Sequence, residues 1–281
     1  MTQLARFSLL LVALLVSGFP FGFTPAHADE LPQDTNKIES LTPEQARKLA
    51  EEFPGVEVEF ETDEEIGWWW SDGLPLQGLT TLNPKTAEEL ARFKGNAILL
   101  TGLSSLGVDT ATSFAAYDGD VVVSEKVQKR FLATHPLSPE STVAWAVVTR
   151  GDLSRVPAID LAIAKALAEF KGRELSLTGL TTLDADTAKA LAATEKWDGD
   201  LSAVTALDTP DSVAIAKALA TRKGPLKLPN LKKISPKTLS ALIAKEDVAI
   251  PLIETLELIQ EPDGSVTEDF VIPEGFMQQS R

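Results

Sequence analysis

Carboxylates are the only abundant side chains in this sequence that could do chemistry. The 281 residues carry 41 Asp and Glu against 26 Lys and Arg, with two His and no Cys. Zinc sites built on His or Cys are therefore excluded. A pair of carboxylates held at the right separation can hydrolyse a glycoside, but no spacing here singles out such a pair. Beyond His27 the one histidine is His135, and no Gly-x-Ser-x-Gly turn exists to present a nucleophile to it. It reads as a solvated loop residue. Neither Gly-x-x-x-x-Gly-Lys-Ser/Thr nor Gly-x-Gly-x-x-Gly occurs, so no nucleotide cradle is expected. Asp118-Gly119-Asp120 and Asp198-Gly199-Asp200 place carboxylates around a turn at matching positions. Their spacing lacks the further oxygen ligands of a calcium loop. The expectation is a protein without metal, cofactor or catalytic residue.

Aromatic groups offer recognition rather than catalysis. Trp68, Trp69 and Trp70 follow the acidic run Glu61-Thr62-Asp63-Glu64-Glu65, and Val56, Val58 and Phe60 alternate with Glu57 and Glu59 as in a strand with one acidic face. Three consecutive indoles cannot all enter one core. They form either an aromatic platform for a sugar or a partner protein, or an N-terminal cap over the apolar edge of a repeat array.

The rest of the chain must position these residues, and it is repetitive. Leu74-x-Leu76-x-Gly78-Leu79-Thr80-Thr81-Leu82 recurs as Leu175-x-Leu177-x-Gly179-Leu180-Thr181-Thr182-Leu183, and 24 residues separate Leu79 from Leu103 and Leu180 from Val204. The Leu-x-Leu pair predicts a short strand with one buried face. Thr42-Pro43, Asn83-Pro84, Ser138-Pro139 and Ser235-Pro236 each put a capping side chain before a proline, which predicts a helix start, and Thr42 with Gln45 has capping-box spacing. Ala-x-x-Leu-Ala blocks then lay small and apolar residues on one helical face. Gly55, Gly95, Gly119, Gly172, Gly199 and Gly224 suit left-handed helix ends. Phe53, Phe93, Tyr117, Phe170 and Trp197 each stand two residues before one of these glycines, predicting a buried aromatic ladder.

Through Leu175-x-Leu177-x-x-Leu180 and its counterparts, residues 38–258 resemble the leucine-rich-repeat family. Leu79, Leu103, Leu180 and Leu231 stand where that family carries its asparagine ladder. The resemblance implies an α/β repeat solenoid of short parallel strand–turn–helix units of about 24 residues, interrupted at 56–73 and 124–136. It implies a strand face that binds macromolecules, and no chemistry. In phase with Leu175 and Leu177, the outward strand positions are Gln77, Leu99, Thr101, Val122, Glu174, Ser176, Thr178, Ser202 and Lys227. Gln77, Leu99, Thr101, Val122, Ser176, Thr178 and Ser202, with Trp68, Trp69 and Trp70, are the candidate partner-binding residues.

The ends set an address. Arg6, the apolar run Phe7–Val16 and the small-x-small Ala26-His27-Ala28 have the layout of a signal peptide over 1–28, cleaved near Ala28, with 29–37 as a linker and 259–281 as a C-terminal cap or tail. Gly18, Pro20 and Gly22 shorten the apolar stretch below a membrane span. A net charge of −15 disfavours nucleic acid and anionic membrane surfaces. The expected function is an exported, periplasmic or extracellular, non-enzymatic binding protein for a protein or glycan. A glycan-binding or envelope-structural protein and a carboxylate-pair hydrolase are the alternatives.

Overall fold

A computed structural model describes residues 32–60, 68–262 and 264. Contacts divide the chain into two units, 1–30 and 31–281, and every described residue belongs to the second. Residues 1–28, read as a signal peptide, lie outside the described residues, as do the start of the 29–37 linker, Glu61–Glu65 and most of 259–281. No described helix is long and apolar enough to cross a membrane.

The Thr-Pro, Asn-Pro and Ser-Pro pairs start helices α1 (Pro43–Glu52), α2 (Pro84–Leu90) and α9 (Pro236–Ile243). In each, the capping oxygen accepts from an amide three residues on, and proline takes the first turn, where its missing N–H costs nothing. Thr42 and Gln45 close a reciprocal box at 3.2 and 2.9 Å. Ser138-Pro139 behaves differently. The Ser138 and Ser141 hydroxyls, 3.1 Å apart, lock a turn, and α5 (Thr142–Val148) begins only after it.

With α3 (Val108–Thr112), α6 (Leu161–Ala168), α7 (Ala185–Ala192) and α8 (Ser212–Ala220), these helices form a row. α1 packs on α2, α2 on α3, α3 on α5, and α5 through α9 in succession. Small residues permit the close approach: Ala87, Ala164, Ala188 and Ala216 are fully buried beside Leu90, Leu167, Leu191 and Leu219. α4 (Glu125–Thr134) stands out of the row, because α3 packs directly on α5.

The strands do not make the expected solenoid. β1 (Val56–Phe60), β2 (Trp68–Pro75), β3 (Ala97–Leu99) and β4 (Asp120–Val122) form a mixed four-stranded sheet in that order, β1 antiparallel to β2 and the rest parallel. After β4 the ladder breaks. Beyond it, pairing consists of single bridges, Asp152 with Ser176, Leu175 with Trp197 and Asp200 with Lys227, and of two small parallel sheets. One is β5 (Ala206–Leu207), β7 (Lys233–Ile234) and β9 (Glu257–Leu258); the other is β6 (Leu226–Lys227) and β8 (Val248–Ala249). A stacked-repeat solenoid needs one continuous parallel ladder. Here Val56–Phe60 folds back antiparallel on the tryptophan strand, so the stretch read as an interruption at 56–73 builds half of the main sheet. At 124–136 α4 leaves the row, and among the described residues no strand pair joins β4 to Asp152.

Alternation along β3 and β4 divides the core. Ile98, Leu100, Val121 and Val123 face the helices and the main core. Ala97, Leu99 and Val122 face the opposite way, where Val58 and Trp70 join them in a second, smaller core. Leu99 has no exposed surface and Val122 only 2%. The expectation that these two face a partner is thus corrected: the strand parity is as read, but the outer face is itself a core.

Phe93, Tyr117, Phe170 and Trp197 are buried, and the Phe53 ring lies 6.3 Å from that of Phe93. Their glycines serve two purposes. Gly55 and Gly199 are left-handed, with φ of 79° and 76°. Gly95, Gly119 and Gly172 are not; there a Cβ would meet the ring of the preceding Phe93, Tyr117 or Phe170 at 2.4, 2.5 and 2.3 Å. The aromatic-x-Gly spacing is in these three a steric pair, the ring folding back over a missing side chain. After Trp197 the ladder turns cationic. Arg222, two residues before Gly224, sets its guanidinium 5.1 Å from the Trp197 ring and donates to the Trp197 carbonyl. Lys245 then donates to the Arg222 carbonyl at 2.9 Å. Burial lowers the Arg222 pKa, against the pull of Asp198, Asp247 and Glu174.

Candidate functional site

The break after β4 is occupied by a cleft of about 510 Å³, bordered by α4, by the end of α5 and by the turns that carry Asp152 and Arg173. Asp120 forms its base. The register sets Gly73 of β2, Ala97 of β3 and Asp120 of β4 side by side. With no side chain larger than a methyl between them, the Trp70 indole reaches across and donates to Asp120 Oδ2 at 2.7 Å. Arg173 Nη1 approaches the same oxygen at 3.6 Å, and the Asp120 side chain is 7% exposed.

Arg150 closes the cleft from α5. The helix ends in a Schellman turn: the Arg150 amide donates to Val147 O at 3.1 Å and the Gly151 amide to Ala146 O at 2.7 Å. That turn requires a left-handed residue where glycine usually stands, and here it is Arg150 at φ 56°, the only non-glycine of positive φ among the described residues. The conformation costs roughly 1–2 kcal/mol for a residue with a Cβ. Strain held at one residue points to a use for its side chain. Burial lowers the Arg150 pKa, while Asp120 and Asp152 hold it up. Gly151 cannot be larger, since its Cβ would lie 2.0 Å from the Glu174 carbonyl.

One wall is apolar, with Leu132, Trp145, Leu153 and Val156. Trp145 donates its N–H to the His135 carbonyl at 2.7 Å, which orients the ring. His135 caps α4 and packs on Phe131 with ring centroids 4.6 Å apart. Its ring nitrogen Nδ1 lies 3.2 Å from the Phe131 carbonyl. Arg155 is exposed at the rim, and Lys129 on α4 pairs with Glu125 one turn back. Tyr117, beneath the base, donates to Gly95 O at 2.7 Å, and burial raises its phenol pKa well above the usual range.

The residues singled out from sequence are not gathered here. Leu99, Val122 and Trp70 are buried. Trp68 and Trp69 have described backbone in β2, but their side chains lie outside the described residues. An open platform of three indoles is therefore excluded, since Trp70 is a core residue. Gln77 is exposed, and Thr101, Ser176, Thr178 and Ser202 are half-buried. The Asp-Gly-Asp carboxylates are engaged within the fold. Asp118 pairs with Lys196 at 2.9 Å, Asp198 accepts the Asp200 amide at 2.9 Å, and Asp200 accepts the amide and hydroxyl of Ser202.

Sequence reasoning missed Arg150, Arg155 and Arg173. One signal was available. Thr149 stands two residues before Gly151, at a position where five other glycines are preceded by an aromatic ring. Like the Arg222–Gly224 unit, the Gly151 unit lacks a ring, and it is the one beside the cleft. No family model, no curated protein and no solved structure matches the chain.

Proposed function

We propose that this is a non-enzymatic binding protein that seats its partner in the cleft beside α4. The observation that carries this is a concentration of recognition groups: three of the nine arginines of a chain with net charge −15, Arg150, Arg155 and Arg173, border one cleft that also has a tryptophan wall. Arg and Trp are the residues that most often dominate interface energetics. The volume falls within the range of sites that hold small ligands or peptide side chains. Of the four carboxylates at the cleft, Asp120 accepts from Trp70 beside Arg173, Asp152 accepts the Ser154 amide at 2.9 Å, Glu125 pairs with Lys129, and Glu174 is exposed. That favours binding over an acid–base pair. Export of the mature protein belongs to the same proposal and rests on the pattern of residues 1–28.

The test is photo-crosslinking in the cells that make the protein, with the reactive side chain at Leu132 in the cleft or at Ser202 away from it. One discrete protein adduct from position 132 and none from 202 is expected. Adducts from 202 alone, or from neither, would overturn the proposal. A glycan partner is the second reading, supported by the Trp145 ring on the cleft wall, and a carbohydrate adduct from position 132 would select it.

A further inference from the structure

We infer that Asp120 couples the cleft to the second core: the cleft arginines hold its carboxylate in place for the Trp70 indole, so that whatever draws Arg173 away loosens the outer face of β2, β3 and β4. The inference goes beyond the cleft reading, since it holds whichever partner binds there.

Asp120 belongs to both places. The register of β3 and β4 sets it beside Ala97, and alternation puts it on the face of Val122, at the margin of the second core. It also lines the cleft. Its carboxylate takes the Trp70 N–H at 2.7 Å, and that indole is itself buried with Val58, Ala97, Leu99 and Val122. An indole brings a donor but no charge. A carboxylate that is only 7% exposed needs a cation as well.

The cations come from the cleft side. Arg173 Nη1 lies 3.6 Å from the oxygen that Trp70 bonds. Burial lowers the Arg150 pKa, and Asp120 opposes this more than Asp152 does. The other close groups are engaged elsewhere: Tyr117 donates to Gly95 O at 2.7 Å, and Asp118 pairs with Lys196 at 2.9 Å. The two partners of the shared oxygen differ in freedom. Trp70 is fixed by packing. The Arg173 side chain is 47% exposed, and its approach is longer than the roughly 2.8 Å of a tight charged bond. Arg173 therefore moves at little cost, and its departure leaves a buried charge short of compensation. Such coupling is reciprocal: what weakens the hold of Arg173 on Asp120 weakens the Trp70 bond, and the reverse.

The experiment records the indole N–H signals of the full chain by NMR, with the Trp70 signal identified by its loss in Trp70→Phe. Arg173→Gln removes the cation from a half-exposed position, and Arg130→Gln removes one from an exposed position on α4. The Trp70 signal should move in Arg173→Gln and stay in place in Arg130→Gln. Urea unfolding of the single and double variants gives the second readout. Arg173→Gln should lower the folding constant about tenfold in the wild-type background and less than about threefold in Trp70→Phe, as members of one bonded network behave. A Trp70 signal unmoved by Arg173→Gln, or moved as much by Arg130→Gln, would overturn the coupling. So would equal losses in the two backgrounds. Neither failure touches the cleft reading, which the crosslink from position 132 decides.

Discussion

The four-stranded region and the region beyond Asp152 use the same Leu-x-Leu strands and Ala-rich helices, yet only the first has strands, β3 and β4, buried on both faces. In β3 and β4 the outward positions are Ala97, Leu99 and Val122, packed with Val58 and Trp70. Past the break the outward positions are Ser176, Thr178 and Ser202, half-buried and polar. The antiparallel strand β1 makes the difference. It brings Val58 to the outer face, with its methyls against Gly73, where a Cβ would come within 2.2 Å of them. Where no such strand is added, the ladder thins to two-residue pairs and single bridges. The cleft lies where one construction gives way to the other.

The largest expected effect that separates the two is at Trp70. Trp70→Ala should cost about 3–5 kcal/mol, as truncation of a buried indole usually does. Trp70→Phe, which keeps most of the packing, should cost about 1–3 kcal/mol through loss of a buried bond to a charged acceptor. Equilibrium denaturation measures both. Equal losses would mean that packing, not the Asp120 bond, holds the outer face. Next is the ring-over-glycine device, common to both regions. Gly172→Ala forces a Cβ to within 2.3 Å of the Phe170 ring and should cost about 1–3 kcal/mol by overpacking. Gly224→Ala meets no atom within 4 Å, so only its φ of 100° opposes the change. A smaller loss at 172 than at 224 would break the steric reading.

Local features were legible and non-local ones were not. Thr42, Asn83 and Ser235 cap the helices their prolines announce, because a cap is settled within three residues. Alternation correctly divided Ile98 and Leu100 from Leu99. It could not say that Leu99's side is covered, since that depends on Val58 and on an indole that bonds Asp120 across 50 residues. The tryptophan run was read as an interruption because pairing between Val56–Phe60 and Trp68–Pro75 leaves no periodic trace. Arg150 was hidden for a related reason. An arginine followed by glycine reads as an ordinary helix end, and only the backbone shows which of the two stands where the turn expects glycine.

That residue supplies a smaller test at the join. Arg150→Gly relieves the left-handed strain, whereas Arg150→Ala keeps it, so the alanine variant should be less stable by about 1 kcal/mol. Matching stabilities would remove the argument from strain. The smallest effect belongs to the second region. Burial, then the nearby Asp200 and Glu174 charges, raises the Asp198 pKa above 3.8, partly offset by the Asp200 amide and Lys227. The folded pKa lies above the unfolded one, so this group's contribution is present below pH 3.8 and is lost as pH rises through the folded value. Asp198→Asn can still accept the Asp200 amide. It should raise the melting temperature at pH 7 by about 1 °C, with no gain below pH 3.8. A gain at acid pH instead would reverse the sign of the assignment.

The contrast between the regions is tested most directly by equilibrium urea unfolding of Leu99→Ala beside Ser176→Ala, two outward strand positions on opposite sides of the break. A loss of about 2–5 kcal/mol at Leu99 and a change within about 0.5 kcal/mol at Ser176 is the predicted result. Equal losses at the two positions, or a larger one at Ser176, would contradict it and with it the placement of the cleft between a two-faced core and an open strand face.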